Sequence, residues 1–150
     1  MREFDAFAGY PEPPAPRIVG PHLRTIHNRI AASYRGKEFY DGDRANGYGG
    51  MVDDGRWKPI AKHIVDSYNL KEARILQVNA HKGFLLHELF KLGMRVWGTE
   101  LSQYAIDQSK LMLHKAPFTA LPYEDGFFDF VIAASAVYSL NLPDAIRCLK

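Results

Sequence analysis

Residues 79–83, Asn-Ala-His-Lys-Gly, stand between the apolar runs "ILQV" and "FLL". A strand that enters such a loop and leaves it as a helix points backbone N–H groups at the helix start, a good place for an anion or polar ligand. Glycines there let the backbone take φ > 0 and come close to the ligand. The spacing is that of a G-x-G-x-G loop in which Asn79 and His81 replace the first two glycines and Gly83 keeps the third. Asn tolerates the left-handed region, whereas the His81 ring is expected to obstruct close approach. Glu100 ends the next apolar run, 17 residues past Gly83. A carboxylate in that place can accept hydrogen bonds from both hydroxyls of a ribose.

Other chemistries fail on spacing. Asp41 and Asp43 begin like a calcium loop, but Ala45 takes the next ligand position and Val52 stands where the bidentate Glu is needed. His87-Glu88 begins like a zinc-protease helix, but position 91 is Lys rather than His. His81 and His87 are read as structural or solvated, so no metal is expected. Lys82 with His81 at the helix start is a minor anion-binding alternative. A nicotinamide-dinucleotide loop is disfavoured because its third glycine would fall on Phe84. No Ser or Cys nucleophile with its His and acid is visible, so the catalytic residues are unassigned.

The elements that must position the loop follow from periodicity. Residues 74–78 and 94–99 read as strands, with a helix over 84–92 between them. Ser102 is a plausible N-cap for a helix to about His114, residues 127–134 read as a buried strand, and a last helix begins near Pro143. A short strand over 115–119 is weakened by Pro117. Upstream, Ile60, Ala61, Ile64, Val65 and Tyr68 make one helical stripe. Leu23, Ile26, Ile30, Ala31 and Tyr34 make another over 22–35, read as a docked helix with Arg24, Arg29 and Arg35 on its solvated face. Residues 36–57 hold six glycines and read as loop. Tyr48, Arg56 and Trp57 there suit a ligand lid, although a packing role for Trp57 is about as good. Pro11, Pro13, Pro14 and Pro16 make residues 1–20 an extended arm. The alternation from Arg74 onward predicts an α/β fold with a parallel sheet covered by helices.

The chain has 150 residues and a net charge of +2, and the charge divides evenly about Lys58. This gives no case for nucleic acid. Cys148 is the only cysteine, so no internal disulfide forms. No apolar stretch is long enough to span a bilayer. A cytoplasmic protein is expected.

Three stretches in order, "ARILQVNAHKGFLLHEL", "VWGTELSQYAID" and "LPYEDGFFDFVIA", resemble the class I S-adenosylmethionine-dependent methyltransferases. The upstream "NGYGGMVDDGRWKPIAKHI" is similar to the segment that some members place near the cofactor. The resemblance covers roughly residues 48–150. It implies a Rossmann-like sheet of order 3-2-1-4 with helices on both faces, S-adenosylmethionine as cofactor and methyl transfer to a small molecule. It also implies that Asn79, Ala80, His81 and Gly83 lie against the methionine part and ribose, that Glu100 binds the ribose hydroxyls, and that Leu101 packs near the adenine. Ser135 and Tyr138 would border the substrate.

The sequence departs from the family at Gln77, where an acid is usual, and at Asn79, His81 and Pro117. Weak or lost cofactor binding is therefore expected, with a non-catalytic protein acting through binding or assembly as the alternative. Residues 1–20, 21–58 and 59–150 are expected as arm, helix with glycine-rich loop, and partial methyltransferase domain, the chain being read as a small-molecule methyltransferase or a fragment of one. Strand 127–134 would then form an open edge that invites self-association.

Overall fold

The computed structural model describes residues 5–11, 20, 23–134, 136 and 140–148. Helices α1 (Ile26–Ser33), α2 (Lys37–Tyr40) and α3 (Trp57–Tyr68) precede strand β1 (Arg74–Val78). Then come α4 (Phe84–Lys91), β2 (Arg95–Glu100), α5 (Gln103–Asp107), β3 (His114–Lys115), β4 (Phe130–Ile132) and α6 (Leu142–Cys148). The strands form one sheet of order β3-β2-β1-β4, and every neighbouring pair is parallel. This is the Rossmann-like order expected from the sequence.

The central strand shows why the sheet is covered on both sides. Successive side chains of a strand face opposite ways. Ile75 joins Ile60, Ile64, Leu86 and Leu89 under α3 and α4. Leu76 and Val78 face the other side and meet Phe118, Trp97 and Phe128. Gly98 in β2 leaves room for this packing, since a Cβ there would lie 2.6 Å from the Leu86 and Leu113 side chains and both would have to shift.

Several elements differ from expectation. The helix after Ser102 is capped as predicted, with the Ser102 hydroxyl accepting the Ala105 N–H, but it ends at Asp107 rather than His114. Leu113 has to enter the core beside Gly98 and His114 has to pair with Thr99, which a continued helix would prevent. The weak strand near 115–119 forms instead at His114–Lys115, ahead of Pro117. The strand expected over 127–134 is confined to Phe130–Ile132. It is the outer strand beside β1 among the described residues, with Phe130 packed on Tyr68 at 4.7 Å.

The first helix is shorter than predicted and its apolar stripe is not docked. No residue of α1 is buried, and Ile26 is 70% exposed. Local capping forms the helix: Thr25 and Asn28 bond each other's backbone N–H at 3.2 and 2.9 Å. Its tie to the body is polar, through Asn28 Nδ2 donating to Asn46 Oδ1 at 2.8 Å. Part of the proline-rich arm is packed instead. Phe7 and Tyr10 lie against Trp57, with ring centroids 6.5 and 5.4 Å away.

Leu86→Ala is expected to destabilise the protein by about 2–5 kcal/mol, the range for truncating a fully buried leucine. Ile26→Ser should change stability by less than about 0.5 kcal/mol, because its side chain already stands in water. Urea unfolding of both variants checks this. A loss for Ile26→Ser on the scale of Leu86→Ala would show that the α1 stripe is packed.

Candidate functional site

The loop joining β1 to α4 keeps a glycine-type backbone with only one of its three glycines. Asn79, His81 and Gly83 all have positive φ, +59°, +54° and +73°. The turn aims successive amides at the end of β2. The Ala80 N–H donates to the Thr99 carbonyl at 2.9 Å, and the His81 N–H donates to Glu100 Oε2 at 2.8 Å. From the other side, the N–H groups of Leu101 and Ser102 donate to Glu100 Oε1 at 2.8 and 2.9 Å. The Glu100 side chain is 0% exposed.

The residues that shut Glu100 away come from upstream. Arg35 donates to Asn79 Oδ1 at 2.9 Å and lies 3.9 Å from Glu100 Oε1. The His81 ring stands between two hydroxyls, with Tyr40 Oη 3.2 Å from Nδ1 and Tyr48 Oη 3.3 Å from Nε2. A neutral imidazole accepts at one nitrogen and donates from the other, which suits two tyrosines. Burial pushes the His81 pKa down to about 4, with the Arg35 charge acting the same way and Glu100 opposing. Burial also raises the Tyr40 phenol, helped by the Glu100 charge.

Beside this lies a second polar cluster. Lys82 Nζ donates to Asp41 Oδ1 and Oδ2 at 2.6 and 2.7 Å and to the Met51 carbonyl at 2.9 Å. The Tyr104 hydroxyl donates to Asp41 Oδ2 at 2.6 Å. Burial pushes the Asp41 carboxyl up, but the hydrogen bonds from Lys82 and Tyr104 outweigh it, and its pKa falls below the usual value.

Of the site residues expected from sequence, Asn79, Ala80, His81, Gly83 and Glu100 come together at this junction. Leu101 follows them at the surface. Tyr48 reaches the loop, whereas the partners of the other two lid candidates lie elsewhere. Arg56 pairs with Asp54 and bonds the Tyr10 hydroxyl, and Trp57 packs on the arm. Ser135 and Tyr138 lie outside the described residues. Arg35, Tyr40, Asp41 and Tyr104 were not foreseen as site residues. Arg35 read as one cation of a solvated helix face, and Asp41 as half of a failed calcium loop.

A third group, Asp53, His87 and Glu88, brings ligand atoms within 4.8 Å of one another. Glu88 is already paired with Lys91 at 2.6 Å. Lys58 and Lys62 line the same groove of about 460 Å³ over α3 and α4.

A family model described as a methyltransferase domain matches residues 76–150. The chain belongs to the class I S-adenosylmethionine-dependent methyltransferase family. It is similar in fold to the CcbJ methyltransferase from Streptomyces caelestis, with a TM-score of 0.58 and 18% identity over 79% of this chain and 51% of that one. The glycopeptide N-methyltransferase MtfA, complexed with sinefungin, matches with a TM-score of 0.54 and 19% identity over 83% of this chain and 54% of that one. An S-adenosylmethionine-dependent methyltransferase from Clostridium acetobutylicum gives 0.52 and 18% over 83% and 50%. The chain thus spans about half the length of these solved structures, and at such identities the likeness concerns the fold. No curated protein matches the chain. No helix among the described residues is long and apolar enough to cross a membrane.

The residues at the junction fit the family's cofactor in donor–acceptor terms. Glu100 Oε2 accepts one backbone N–H, and a carboxylate oxygen has capacity for a second donor such as a ribose hydroxyl. The fit requires that the upstream residues around Arg35 and Tyr40 move aside, because the carboxylate is closed off from solvent.

The lowered pKa of His81 gives a signed stability prediction. Its folded value lies below the unfolded value of about 6.5, so the neutral ring contributes stability that is full above that pH. This contribution is lost as pH falls toward about 4. The loss is expected to reach about 3 kcal/mol at most. His81→Gln should lack this part of the pH dependence. Urea unfolding of both chains between about pH 7 and pH 4.5 checks it, and equal slopes would refute it.

Proposed function

We propose that this chain binds S-adenosylmethionine and forms the cofactor half of an enzyme that methylates a small molecule. The observation that carries this is the junction of loop 79–83 with Glu100. Three left-handed residues and an acid at the end of the second strand stand together at the carboxyl edge of a parallel sheet. That edge is where open α/β folds bind ligands.

When bound, the cofactor supplies an activated methyl group. The chain's own work is to hold and orient it. Glu100 Oε2 would accept a ribose hydroxyl. The loop backbone from Asn79 to Gly83 would lie along the methionine part, and Leu101, at the strand end, would meet the adenine. Catalysis of this kind rests on proximity and alignment, so the absence of an evident nucleophile does not weigh against it.

A second reading is favoured by one observation. Glu100 is fully enclosed, and its carboxylate is already served by three backbone donors. This suits a protein that keeps the fold, has given up the ligand, and acts through binding or assembly. Under either reading, self-association along β4 is part of the proposal.

Calorimetry with S-adenosylmethionine and S-adenosylhomocysteine separates the two. Saturable binding is expected, and Glu100→Ala should weaken it by about tenfold or more, the effect of losing a hydrogen bond to a charged group. A wild-type chain that binds neither compound, or binding indifferent to Glu100→Ala, would overturn the cofactor reading.

A further inference from the structure

This inference rests on the cofactor reading above. The side chains of the loop are engaged by the chain's own residues 35–51. Asn79 receives Arg35, His81 meets Tyr40 and Tyr48, and Lys82 holds Asp41 and Met51. Ser102, next to Glu100, donates its hydroxyl to the Arg35 carbonyl. Residues 35–51 therefore lie as a cover over the place where the ribose would go.

Lys82 is the most constrained of these anchors. Its ammonium has three N–H donors, and they point to Asp41 Oδ1, Asp41 Oδ2 and the Met51 carbonyl. Asp41 and Met51 are the two ends of one excursion of the chain, and they are also joined by the Met51 N–H donating to Asp41 Oδ1 at 3.2 Å. One buried lysine of the cofactor loop thus pins both ends of the segment that carries Tyr48. The pairing is made by the Lys82 side chain, whereas the ligand would meet the loop backbone, so the effect of the pairing on the ligand would run through the cover.

We propose that Lys82 is a positioning residue that latches residues 35–51 closed over Glu100, and that the cofactor reaches Glu100 when this latch opens. A ligand that needs the open form binds with an apparent affinity reduced by the fraction open. Loosening the latch therefore speeds entry.

The amides of Tyr48, Gly50 and Met51 report the order of the excursion that Lys82 pins at both ends, because they donate to the carbonyls of Phe39 and Tyr40 at 2.8, 3.1 and 3.0 Å. The test combines hydrogen exchange at these amides with stopped-flow association of S-adenosylhomocysteine, on wild type, Lys82→Met and Lys82→Arg. In Lys82→Met, exchange of the three amides is expected to rise by about tenfold or more while Ile75 and Leu76 in the sheet stay protected. Association should quicken by about threefold or more. Lys82→Arg, which keeps a cation, should restore most of the protection. Unchanged exchange in Lys82→Met overturns the latch. Faster exchange with unchanged association overturns the gate. If Lys82→Met does not fold, Asp41→Asn is read in the same two measurements with the same expected outcomes. If no chain binds the ligand, including the loosened one, the cofactor reading and the gate both fall, while the exchange result still decides whether the latch exists.

Discussion

A carboxylate removed from water must find donors, and Glu100 finds them in the backbone on two sides. The His81 amide comes from the loop after β1, and the amides of Leu101 and Ser102 come from the turn after β2. Hydrogen bonds to a charged group contribute more than neutral ones, roughly 1.5–3 kcal/mol each. The arrangement ties two successive strand ends to one point. It also dictates the loop's conformation, because the His81 N–H reaches Glu100 from a left-handed residue at φ +54°. Ala80, one residue earlier, is fixed to the Thr99 carbonyl in the same sense.

That constraint explains how a loop short of glycine keeps a glycine-type path. A left-handed conformation costs a side-chain-bearing residue about 1–2 kcal/mol. Asn79 meets that cost at a position that suits Asn, and its side chain takes Arg35. His81 offsets it with contacts to Tyr40 and Tyr48, whose ring centroids lie 6.0 and 5.5 Å away. The replaced glycines are thus attachment points for the segment above them. The ring of His81, read from sequence as an obstruction over the ligand, is turned to the two tyrosines and helps to hold a cover in place.

The legibility of the site from sequence divides along the same line. The apolar runs at 74–78 and 94–99 locate the strands, one residue off the observed Arg95–Glu100 for the second, and their ends place the loop and Glu100. The helix after Ser102 was read too long because its N-cap is local information, whereas its end is set by Leu113 and His114 having to reach the sheet. The stripe Leu23, Ile26, Ile30 and Tyr34 has a helical period and yet stands in water, since periodicity states that a face could be buried and says nothing of a partner.

The sequence by itself determined the element order from Arg74 onward, the parallel sheet of order 3-2-1-4, the family, and the meeting of residues 79–83 with Glu100, whereas the short helix Lys37–Tyr40 inside the glycine-rich stretch was read as loop. The element order follows from hydrophobic period and loop length, whereas the sheet order, the family and the meeting at the site are what the resemblance of three ordered stretches to known methyltransferases implied. Tertiary structure alone decided what covers that site. Asp41 and Lys82 are 41 residues apart, and Arg35 and Asn79 are 44 apart. A polar contact over such a separation leaves no periodic trace, because it depends on where the folded sheet sets each side chain rather than on their order in the chain.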